Sequence, residues 1–471
     1  MKTILVWFRN DLRLEDHPAL HHAAAHGDVV VPVFIWSPGE EGAWAPGAAQ
    51  QSWLRLSLQA LGAQLQARGA RLILRRGPAM ATLRDLIAET SADALYWNRR
   101  HTPALQARDA AIAELFETTG IATHVFEAYL LHDPASLRTT SGGPYHVFTP
   151  FWNRLRRDLQ VPYPFDVPSL AARSPAGWPA TEPLDALGLA RGVPSAGCPP
   201  GTDGARERLE RFLDEGLEPY GHHRDFPGRD GTSGLSPYLH HGEISPRQLW
   251  HAVASRAYAT SAARPAEAFL RQLAWREFSY HLLHHYPASP AEPLRDTYRS
   301  FPWRTDDEAL ERWRQGRTGY PFIDAGMRQL RASGWMHNRA RMAAASFLTK
   351  HLLLPWQEGA RWFWETLVDA DLACNTTGWQ WTAGCGADAQ PFFRIFNPTT
   401  QGTRFDPDGT YVRRWVPELR RLPDRYLHRP WKAPRRTLDA AGIVLGRDYP
   451  APMVDHDEAR HRALAAYRTL R

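Results

Sequence analysis

The stretch Ile4-Leu5-Val6-Trp7-Phe8-Arg9-Asn10-Asp11-Leu12-Arg13 decides the fold of the N-terminal part of the chain. Five apolar residues, most of them β-branched or aromatic, form a run that is typical of a buried parallel strand. The turn that follows is charged and contains no glycine. It therefore lacks the GxGxxG fingerprint of NAD- and FAD-binding Rossmann modules. The stretch predicts a strand of an α/β domain that is not an ordinary dinucleotide-binding module.

Strand-like and helix-like segments alternate over residues 3 to 130. Further strands are predicted at Val29–Trp36, Arg71–Leu74, Ala94–Trp97 and His124–Phe126. Helices are predicted at Gln50–Arg68, Thr82–Glu89 and Leu105–Glu117. This alternation predicts an α/β domain with a doubly wound parallel sheet over residues 1–130.

The rest of the chain divides into a connector and a helical part. Residues 161–205 contain nine prolines and six glycines, a density that packed elements do not tolerate. We therefore predict that residues 131–205 form an interdomain connector. Residues 206–471 have a helical pattern with few β-branched runs, which predicts an all-α domain.

Composition excludes several classes of protein. The chain has 471 residues, a mean hydropathy of −0.46 and no apolar run long enough to cross a membrane. Its N-terminal apolar run is too short for a signal peptide, which favours a cytoplasmic protein. The three cysteines, Cys198, Cys374 and Cys385, form no CxxC pair, so we expect no zinc, iron–sulfur or other metal site. The P-loop motif GxxxxGK[ST] is also absent.

The positive charge of the chain is carried almost entirely by arginine. Lys and Arg number 56 against 50 acidic residues, a net charge of +6, and only three of the cations are lysines. Arginine makes planar, bidentate contacts to phosphate, so the bias suits a nucleic-acid partner. A GC-rich genome would produce the same bias, and that alternative stays open at this point.

Tryptophan is unusually frequent. More than half of the 19 tryptophans lie between Trp303 and Trp431. Indole rings are easily oxidised and offer large stacking faces, so this concentration suggests electron transfer or base stacking. An unusually aromatic core is the alternative.

The segment Phe269–Ser279 predicts a helix with two different faces. Leu270, Ala274 and Phe278 form an apolar stripe at helical spacing. Trp275 lies between hydrogen-bonding residues on the opposite face, which suits a platform for a nucleobase. Coverage by a second layer of helices is the alternative.

The segment Trp335–Met342 places Asn338, Arg341 and Met342 on one helix face. If that face is buried, Arg341 needs an anionic partner, and Asp369 and Asp371 are the candidates. Exposed charges on both sides are the alternative.

The segment Gly231–Pro237 combines three hydroxyl side chains with glycines before a predicted helix. Ser236 is suited to the N-cap and Pro237 to the first turn. Such a helix start also suits a phosphate group. An ordinary cap without a ligand is the alternative.

In this order and spacing, these segments resemble the photolyase/cryptochrome family over essentially the whole chain. The strongest match is Asp369-Ala370-Asp371-Leu372-Ala373-Cys374-Asn375-Thr376-Thr377-Gly378-Trp379-Gln380-Trp381, followed by Phe393–Pro398. The resemblance implies an N-terminal antenna domain and a helical domain that holds a U-shaped FAD.

The resemblance also implies roles for the residues that match the family's FAD site. These residues are Tyr220, Thr232, Ser233, Leu235, Ser236, Arg341, Asp369, Asp371 and Asn375. Arg341 and Asp369 would pair beside the isoalloxazine, and Asn375 would face flavin N5. Plant-type cryptochromes carry Asp at the place of Asn375, so this residue resembles that of a repair enzyme.

Two further groups of residues match the family. Trp379, Trp356 and Trp303 match the tryptophans that relay electrons between the flavin and the surface. The matches to the DNA and lesion contacts are Arg224, Gln272, Trp275, Asn338, Arg339, Met342 and Trp381. Enzymes for the (6-4) photoproduct have histidines at the places of Asn338 and Met342, so the resemblance favours the cyclobutane lesion. Gln272 stands where bacterial cyclobutane-dimer enzymes usually have Glu and also occurs in the (6-4) class, which keeps that substrate open.

The resemblance therefore implies a monomeric deoxyribodipyrimidine photo-lyase that uses reduced FAD and light to split cyclobutane pyrimidine dimers in DNA. A (6-4) photolyase and a cryptochrome-type blue-light receptor are the alternatives. The antenna is open between methenyltetrahydrofolate, a deazaflavin and an empty site, because the stretch 102–106 lacks the carboxylate of folate-binding relatives.

Overall fold

The structure, a computed structural model, describes residues 1–192, 199–260 and 262–470. Cys198 lies outside these residues, and Cys374 and Cys385 are free thiols. No helix in the described part of the chain has both the length and the apolar character needed to span a bilayer.

A five-stranded parallel sheet forms the N-terminal domain. Its strands are β1 (Thr3–Phe8), β2 (Val29–Trp36), β3 (Ile73–Arg76), β4 (Ala94–Asn98) and β5 (Ala122–Phe126). They lie in the order β3-β2-β1-β4-β5, and Ile4 of the central strand pairs with Val30 and Ala94. The predicted doubly wound parallel sheet is confirmed, with strand ends that differ by up to two residues.

Helices cover both faces of this sheet because β1 sends alternate side chains to opposite sides. The helices of this domain are α1 (Pro18–His26), α2 (Ala48–Gln66), α3 (Ala79–Thr90) and α4 (Pro103–Thr118). Ile4, Val6 and Phe8 pack with α1 and α2, whereas Leu5 and Trp7 pack with α3 and α4. The prediction missed α1, whose three histidines obscure its apolar face.

The segment 131–205 is not uniformly irregular. Helix α5 (Phe148–Asp158) lies within it, and short 3-10 turns follow at Ala171–Arg173 and Leu184–Leu187. The apolar face of α5, which includes Phe148 and Phe151, packs against Phe278 of the helical domain. One part of the predicted connector therefore belongs to the core of the helical domain.

The remaining chain is helical. Its helices are α6 (Thr202–Arg211), α7 (Tyr220–His223), α8 (Ser236–His241), α9 (Pro246–Thr260), α10 (Ala263–His285), α11 (Asp307–Arg314), α12 (Pro321–Ser333), α13 (Asn338–Ser346), α14 (Trp356–Thr366), α15 (Leu372–Ala383), α16 (Pro398–Phe405), α17 (Thr410–Trp415), α18 (Asp424–Leu427), α19 (Arg435–Ala441) and α20 (His456–Arg468). Helix α15 packs against α10, α13 and α14 at the centre of this domain.

A buried carboxylate joins the two domains. Glu243, which follows α8, accepts hydrogen bonds from Ser57 Oγ (2.6 Å) and Trp53 Nε1 (3.0 Å) of α2. It also accepts one from the backbone N–H of Gly201 (2.5 Å). Burial raises the pKa of Glu243 to about 7, against the opposite effect of these three donors. The contact fixes α2 against the start of α6 and the end of α8.

Lys350 is a buried cation without a carboxylate within 4 Å among the described residues. Lys350 follows α13, is completely buried and places Nζ 5.3 Å from the centre of the Phe392 ring. Its hydrogen bond is to the carbonyl oxygen of Arg394 (3.3 Å). Burial lowers the pKa of Lys350 to about 7. The charged form is therefore unfavourable in the folded state.

Lys350→Met should stabilise the protein near neutral pH. In the wild type the unfolded chain binds a proton at Lys350 more tightly than the folded chain does. Its free energy of unfolding should therefore rise between about pH 7 and pH 10, by up to a few kcal/mol. The variant should lack this rise, so its advantage should be greatest at pH 7 and vanish towards pH 10. Urea denaturation across this range measures the difference, and a constant difference would contradict the prediction.

Candidate active site

Asp371 organises the start of α15. Its carboxylate caps the helix by accepting from the backbone N–H of Cys374 (2.9 Å). It also accepts from the hydroxyl of Tyr129 (3.1 Å) and, through a short hydrogen bond, from that of Tyr280. Tyr129 follows β5, so this carboxylate connects the N-terminal segment with α10 and α15.

The electrostatic surroundings keep Asp371 ionised. Burial alone would raise its pKa, but the opposite effect of Arg276, His240 and the Tyr280 hydroxyl is larger, and the pKa is lowered. Arg276 is itself buried on α10, 4.2 Å from the centre of the Tyr129 ring. A fixed negative charge is therefore present at the centre of the helical domain.

An ion pair between Arg341 and Asp369 lies beside the Asp371 carboxylate. Arg341 Nη2 lies 2.8 and 3.0 Å from the two carboxylate oxygens of Asp369, and Arg341 Nε donates to the carbonyl of Met336. The structure therefore contains the pair between these residues rather than two exposed charges. Ser236 Oγ donates to Asp369 (2.6 Å), which joins the pair to residues 231–237, which we call the hydroxyl-rich loop.

These residues surround a cavity of about 190 Å³, which we call the central cavity. Helices α13, α14 and α15 form its walls. The sequence-predicted residues in its lining are Asn338, Arg341, Met342, Asp369, Asp371, Asn375 and Trp379. Residues predicted for cofactor contact and residues predicted for lesion contact therefore meet in one cavity.

Asn375 has a fixed orientation in the central cavity. Its Nδ2 donates to the carbonyl oxygen of Ala360 on α14 (3.0 Å). The amide oxygen Oδ1 and the second N–H of Nδ2 consequently remain available to a ligand. This arrangement presents a neutral hydrogen-bonding group that is not an acid.

The ring of Trp379, on α15, packs closely against Gly359 of α14. A Cβ atom built on Gly359 would lie only 2.0 Å from the Trp379 ring, so only glycine fits there. Trp379 Nε1 is buried without a hydrogen-bond partner among the described residues. Trp356 is buried as well, whereas Trp303 is half-buried. Two of the three predicted relay residues are thus buried, and the third, Trp303, is partly exposed.

The hydroxyl-rich loop is held in place by Arg208. Its guanidinium donates to the carbonyl oxygens of Thr232 (2.9 Å) and Ser233 (2.6 Å) and pairs with Asp230. Leu235, which is buried, occupies the N-cap of α8 without a side-chain cap. The prediction of Ser236 at the N-cap is therefore wrong, because its hydroxyl donates to Asp369 instead.

A second cavity, of about 460 Å³, lies beside this loop, and we call it the arginine cavity. Thr232, Gly234 and Trp335 line it, and Trp335 Nε1 donates to Ser236 Oγ (3.4 Å). The arginines in its lining are Arg208, Arg211, Arg229 and Arg414. The hydroxyl-rich loop therefore lies between the central cavity and a cationic cavity.

Tyr220 is buried near the same loop and packs edge-on against Phe212 and Phe269. Burial raises the pKa of its hydroxyl. Arg224 lies 5.2 Å from the centre of the Tyr220 ring and is partly exposed.

Trp275 is half-buried, and one face of its ring is covered. Phe148 of α5 stacks on it, with ring centres 3.8 Å apart and planes inclined by 8°. Arg271 lies 5.3 Å from the centre of the Phe148 ring. Gln272 and Trp381 are half-buried and, like Trp275, lie outside the lining of the central cavity. The lining of the central cavity therefore does not include these three predicted lesion contacts.

The start of α13 carries the remaining predicted contacts. Asn338 is exposed, and its Nδ2 lies 3.7 Å from the sulfur of Met342. Arg339 pairs with both oxygens of Asp225 (2.9 and 3.0 Å) and stacks over Phe405. Its charge is therefore already balanced within the protein.

A third cavity, of about 260 Å³, lies between the domains. Its lining includes residues 102–105, which contain no carboxylate, and Glu41 from the connection between β2 and α2. Burial raises the pKa of Glu41 against the opposing effect of Arg100 and Arg108. The lining of this cavity therefore contains the carboxyl group of Glu41, although residues 102–105 contain none.

Comparisons with known proteins identify the family. Residues 269–469 match the FAD-binding domain of DNA photolyase, and residues 4–169 match the DNA photolyase domain. A deoxyribodipyrimidine photo-lyase of Agrobacterium fabrum is 47% identical over 99% of this chain and 98% of its own. The chain belongs to the photolyase/cryptochrome family. The prediction from the sequence is confirmed at this level.

Two further relatives show that the chain is similar to both cryptochromes and photolyases. Cryptochrome-1 of Arabidopsis thaliana is 39% identical over 97% of this chain and 69% of its own. The crystal structure of a class III photolyase from Agrobacterium tumefaciens has a TM-score of 0.95 and 46% identity, and the match covers 100% of this chain and 98% of that one. Photolyases and cryptochromes are both similar, so the choice of substrate rests on the site itself.

The residues present fit the FAD of the family's FAD-binding domain. The central cavity offers the Arg341–Asp369 pair, the Asn375 acceptor and an indole wall with an unpartnered Nε1. The adjacent loop offers hydroxyls supported by an arginine, groups that suit a diphosphate. A planar polar ring in the cavity and a charged chain along the loop are thus both accommodated.

Gly359→Ala should disturb Trp379 and destabilise the protein by about 1–3 kcal/mol, because the added methyl overlaps the indole. Gly378→Ala is the matched control on α15, because its added methyl meets no atom within 4 Å. The control should be neutral or slightly stabilising, since alanine favours helix. Urea denaturation of both apoproteins measures the effect, and equal stabilities would contradict the packing argument.

Proposed function

We propose that the chain is a light-driven DNA repair enzyme, a deoxyribodipyrimidine photo-lyase that splits cyclobutane pyrimidine dimers. The observation that supports this most is the meeting of Asn338 and Met342 with Asn375 and the Arg341–Asp369 pair in one cavity. A lesion beside Asn338 would therefore lie close to the groups that hold the cofactor. DNA containing pyrimidine dimers is the proposed partner, and a cytoplasmic monomer is the proposed form.

The protein's part in this reaction is to bind and orient. The chemistry that reduced FAD would supply when bound is light-driven transfer of one electron to the dimer, with return of the electron after the ring has split. Arg341 and Asp369 would hold the cofactor ring, and the Asn375 amide would offer it a neutral hydrogen-bonding group that is not an acid. Apolar side chains such as Met342 and Phe363 keep water away from the reacting groups.

The polar groups of the pocket favour the cyclobutane lesion over the (6-4) photoproduct. Asn338 and Met342 cannot act as acids at neutral pH. The histidine that precedes Asn338 in the chain, His337, lines the arginine cavity instead, and burial lowers its pKa to about 4. A protonated imidazole is therefore not supplied to a lesion beside Met342, whereas cyclobutane splitting by electron transfer does not need one.

Stacking is the proposed role of Trp275 and Trp381. Extruding a dimer from the duplex costs a few kcal/mol, and less for a poorly paired base. The indole of Trp275 is backed by Phe148, so its free face is held rigidly for a base to stack on. Gln272, one turn away, and Arg224 offer donors to the lesion or its phosphates.

Trp379, Trp356 and Trp303 are proposed to carry electrons from the surface to the central cavity. Trp379 lines the cavity and Trp303 is half-buried, as a path between the two requires. The cavity between the domains is the proposed place for a second chromophore. Heating the purified protein and recording the spectrum of what is released would separate a folate from a deazaflavin.

Illumination in the presence of defined lesions tests the proposal. The chemically reduced holoenzyme is mixed with duplexes that contain a cyclobutane thymine dimer, a (6-4) photoproduct or no lesion, and is exposed to blue light. Loss of the cyclobutane dimer alone, with no loss in the dark, is the expected result. Loss of the (6-4) product would contradict the lesion assignment. Loss of neither would favour the blue-light receptor.

Trp379→Phe should slow photoreduction of the bound FAD at least tenfold while leaving repair by chemically reduced enzyme nearly unchanged. Phenylalanine keeps the packing but is much harder to oxidise. Trp431→Phe, at a half-buried tryptophan packed on Tyr320, is the control and should change neither rate. The absorbance of oxidised flavin under illumination follows the reaction. Equal photoreduction in the three proteins would refute the relay.

Trp275→Ala should weaken binding to dimer-containing DNA by about 1–3 kcal/mol through lost stacking. Binding to undamaged duplex should change little, since its bases stay within the stack. Phe148→Leu, which removes only the support behind the indole, should have a smaller effect in the same direction. Fluorescence anisotropy gives the affinities, and an equal loss on both DNAs would show that Trp275 does not contact the lesion.

A further inference from the structure

The positive charge of the chain is concentrated in one short segment. Residues 413–436, which we call the cationic strip, contain nine Lys or Arg residues and two acidic residues, a net charge of +7. The whole chain has a net charge of +6, so all the other residues together carry −1. The excess that suits a polyanionic partner is therefore local and belongs to this strip.

Both acidic residues of the strip form ion pairs with arginines. Glu418 pairs with Arg328 of α12 (2.7 Å), and Asp424 pairs with Arg413. Arg413 also donates to three backbone carbonyls, so its role is structural. The exposed cations that remain are Arg414, Arg420, Arg421, Arg425, Arg429, Lys432, Arg435 and Arg436. Of these, only Arg435 has a carboxylate within 4 Å in the described part of the chain, at that limit and itself exposed.

The strip is a fixed surface rather than a loose tail. Val416, Leu419, Leu422 and Leu427 are fully or almost fully buried in the core of the helical domain. These anchors recur every three to five residues and alternate with the exposed arginines. The cations are therefore held in fixed positions along the surface, which lowers the entropic cost of contacting a rigid, regularly charged partner.

Aromatic side chains lie between the cations. Trp415, Tyr426 and Trp431 are half-buried. Arg414 lies 5.2 Å from the Trp415 ring centre, and Arg425 lies 4.8 Å from that of Tyr426. Stacking restrains these guanidinium groups while leaving their N–H donors free for phosphate oxygens.

One end of the strip lies next to the proposed lesion site. Arg414 and Trp415 line the arginine cavity together with Trp335 and His337. The next residue, Asn338, lines the central cavity. Specific protein–DNA interfaces bury about 1,000–2,500 Å² of protein surface, far more than a pocket for one extruded lesion provides. The duplex must therefore contact surface beyond the pocket.

We propose that the cationic strip binds the phosphate backbone of the duplex that flanks the lesion. The inference rests on the proposed function for the identity of the DNA. Arginines held on a rigid surface displace counterions from phosphates and read no sequence. The strip thus supplies affinity and orientation, and the pocket supplies selectivity for damage.

A variant in which three arginines of the strip are replaced by glutamine, compared with a matched control, tests this inference. R420Q/R421Q/R425Q removes three exposed charges from the strip, and R68Q/R71Q/R84Q removes three exposed charges from the N-terminal domain. Anisotropy titrations with a duplex of about 20 base pairs, with and without a dimer, are repeated over a range of salt concentrations. Circular dichroism and the flavin spectrum verify that both holoproteins are folded.

The strip variant should bind both duplexes more weakly by the same factor. The slope of log Kd against log salt should fall by about 0.9 for each arginine that contacts a phosphate, and thus by about 2–3 in total. The control should keep the wild-type slope. An unchanged slope in the strip variant, or an equal change in the control, would overturn the inference.

The outcomes separate this inference from the proposed function. If the wild type binds DNA through the strip but splits no dimer under light, the proposed function fails and the strip remains a DNA-binding surface. If the wild type splits dimers and the strip variant keeps its slope, the strip assignment alone fails.

Discussion

The buried carboxylate of Asp371 is the constraint on which the rest of the site depends. It must remain charged in the interior, and it does so because a backbone N–H, two tyrosine hydroxyls and the nearby Arg276 all favour the ionised form. An unpaired buried charge would be strongly destabilising. The same contacts fix the start of α15, and with it Asn375 and Trp379 one and two turns further along the helix. The contacts that keep Asp371 charged therefore also fix the position of α15 and of the site residues it carries.

This arrangement also explains why the site needs both halves of the chain. Tyr129 reaches Asp371 from the end of the sheet, and Phe148 of the predicted connector supports Trp275. Glu243 holds the two domains together by accepting from α2. The helical domain therefore contains the cavity, whereas residues from outside it hold the walls in place. A cofactor and an extruded base both benefit from such rigid surroundings, because little order has to be created on binding.

The sequence predicted the elements better than their partners. Hydrophobic periodicity identified all five strands and the face of α10 that carries Trp275, because these features are local. The Arg341–Asp369 pair could be anticipated, since a buried guanidinium requires an anion. Phe148, Arg208 and Glu41 could not be found, because each acts across long sequence separations and none lies in a recognisable motif. Residue preferences at helix starts predicted Ser236 at the N-cap. Its hydroxyl instead donates to the carboxylate of Asp369, which lies 133 residues away in the chain.

The central claim is that a lesion extruded from DNA binds beside Asn338 and Met342 at the edge of the central cavity, next to the residues that would hold the cofactor. A crystal structure of the FAD-loaded protein with a duplex containing one cyclobutane dimer tests it most directly. The account predicts the dimer outside the helical stack, in contact with both residues and stacked on Trp275. A dimer that stays within the duplex, or that binds away from this cavity, would contradict it.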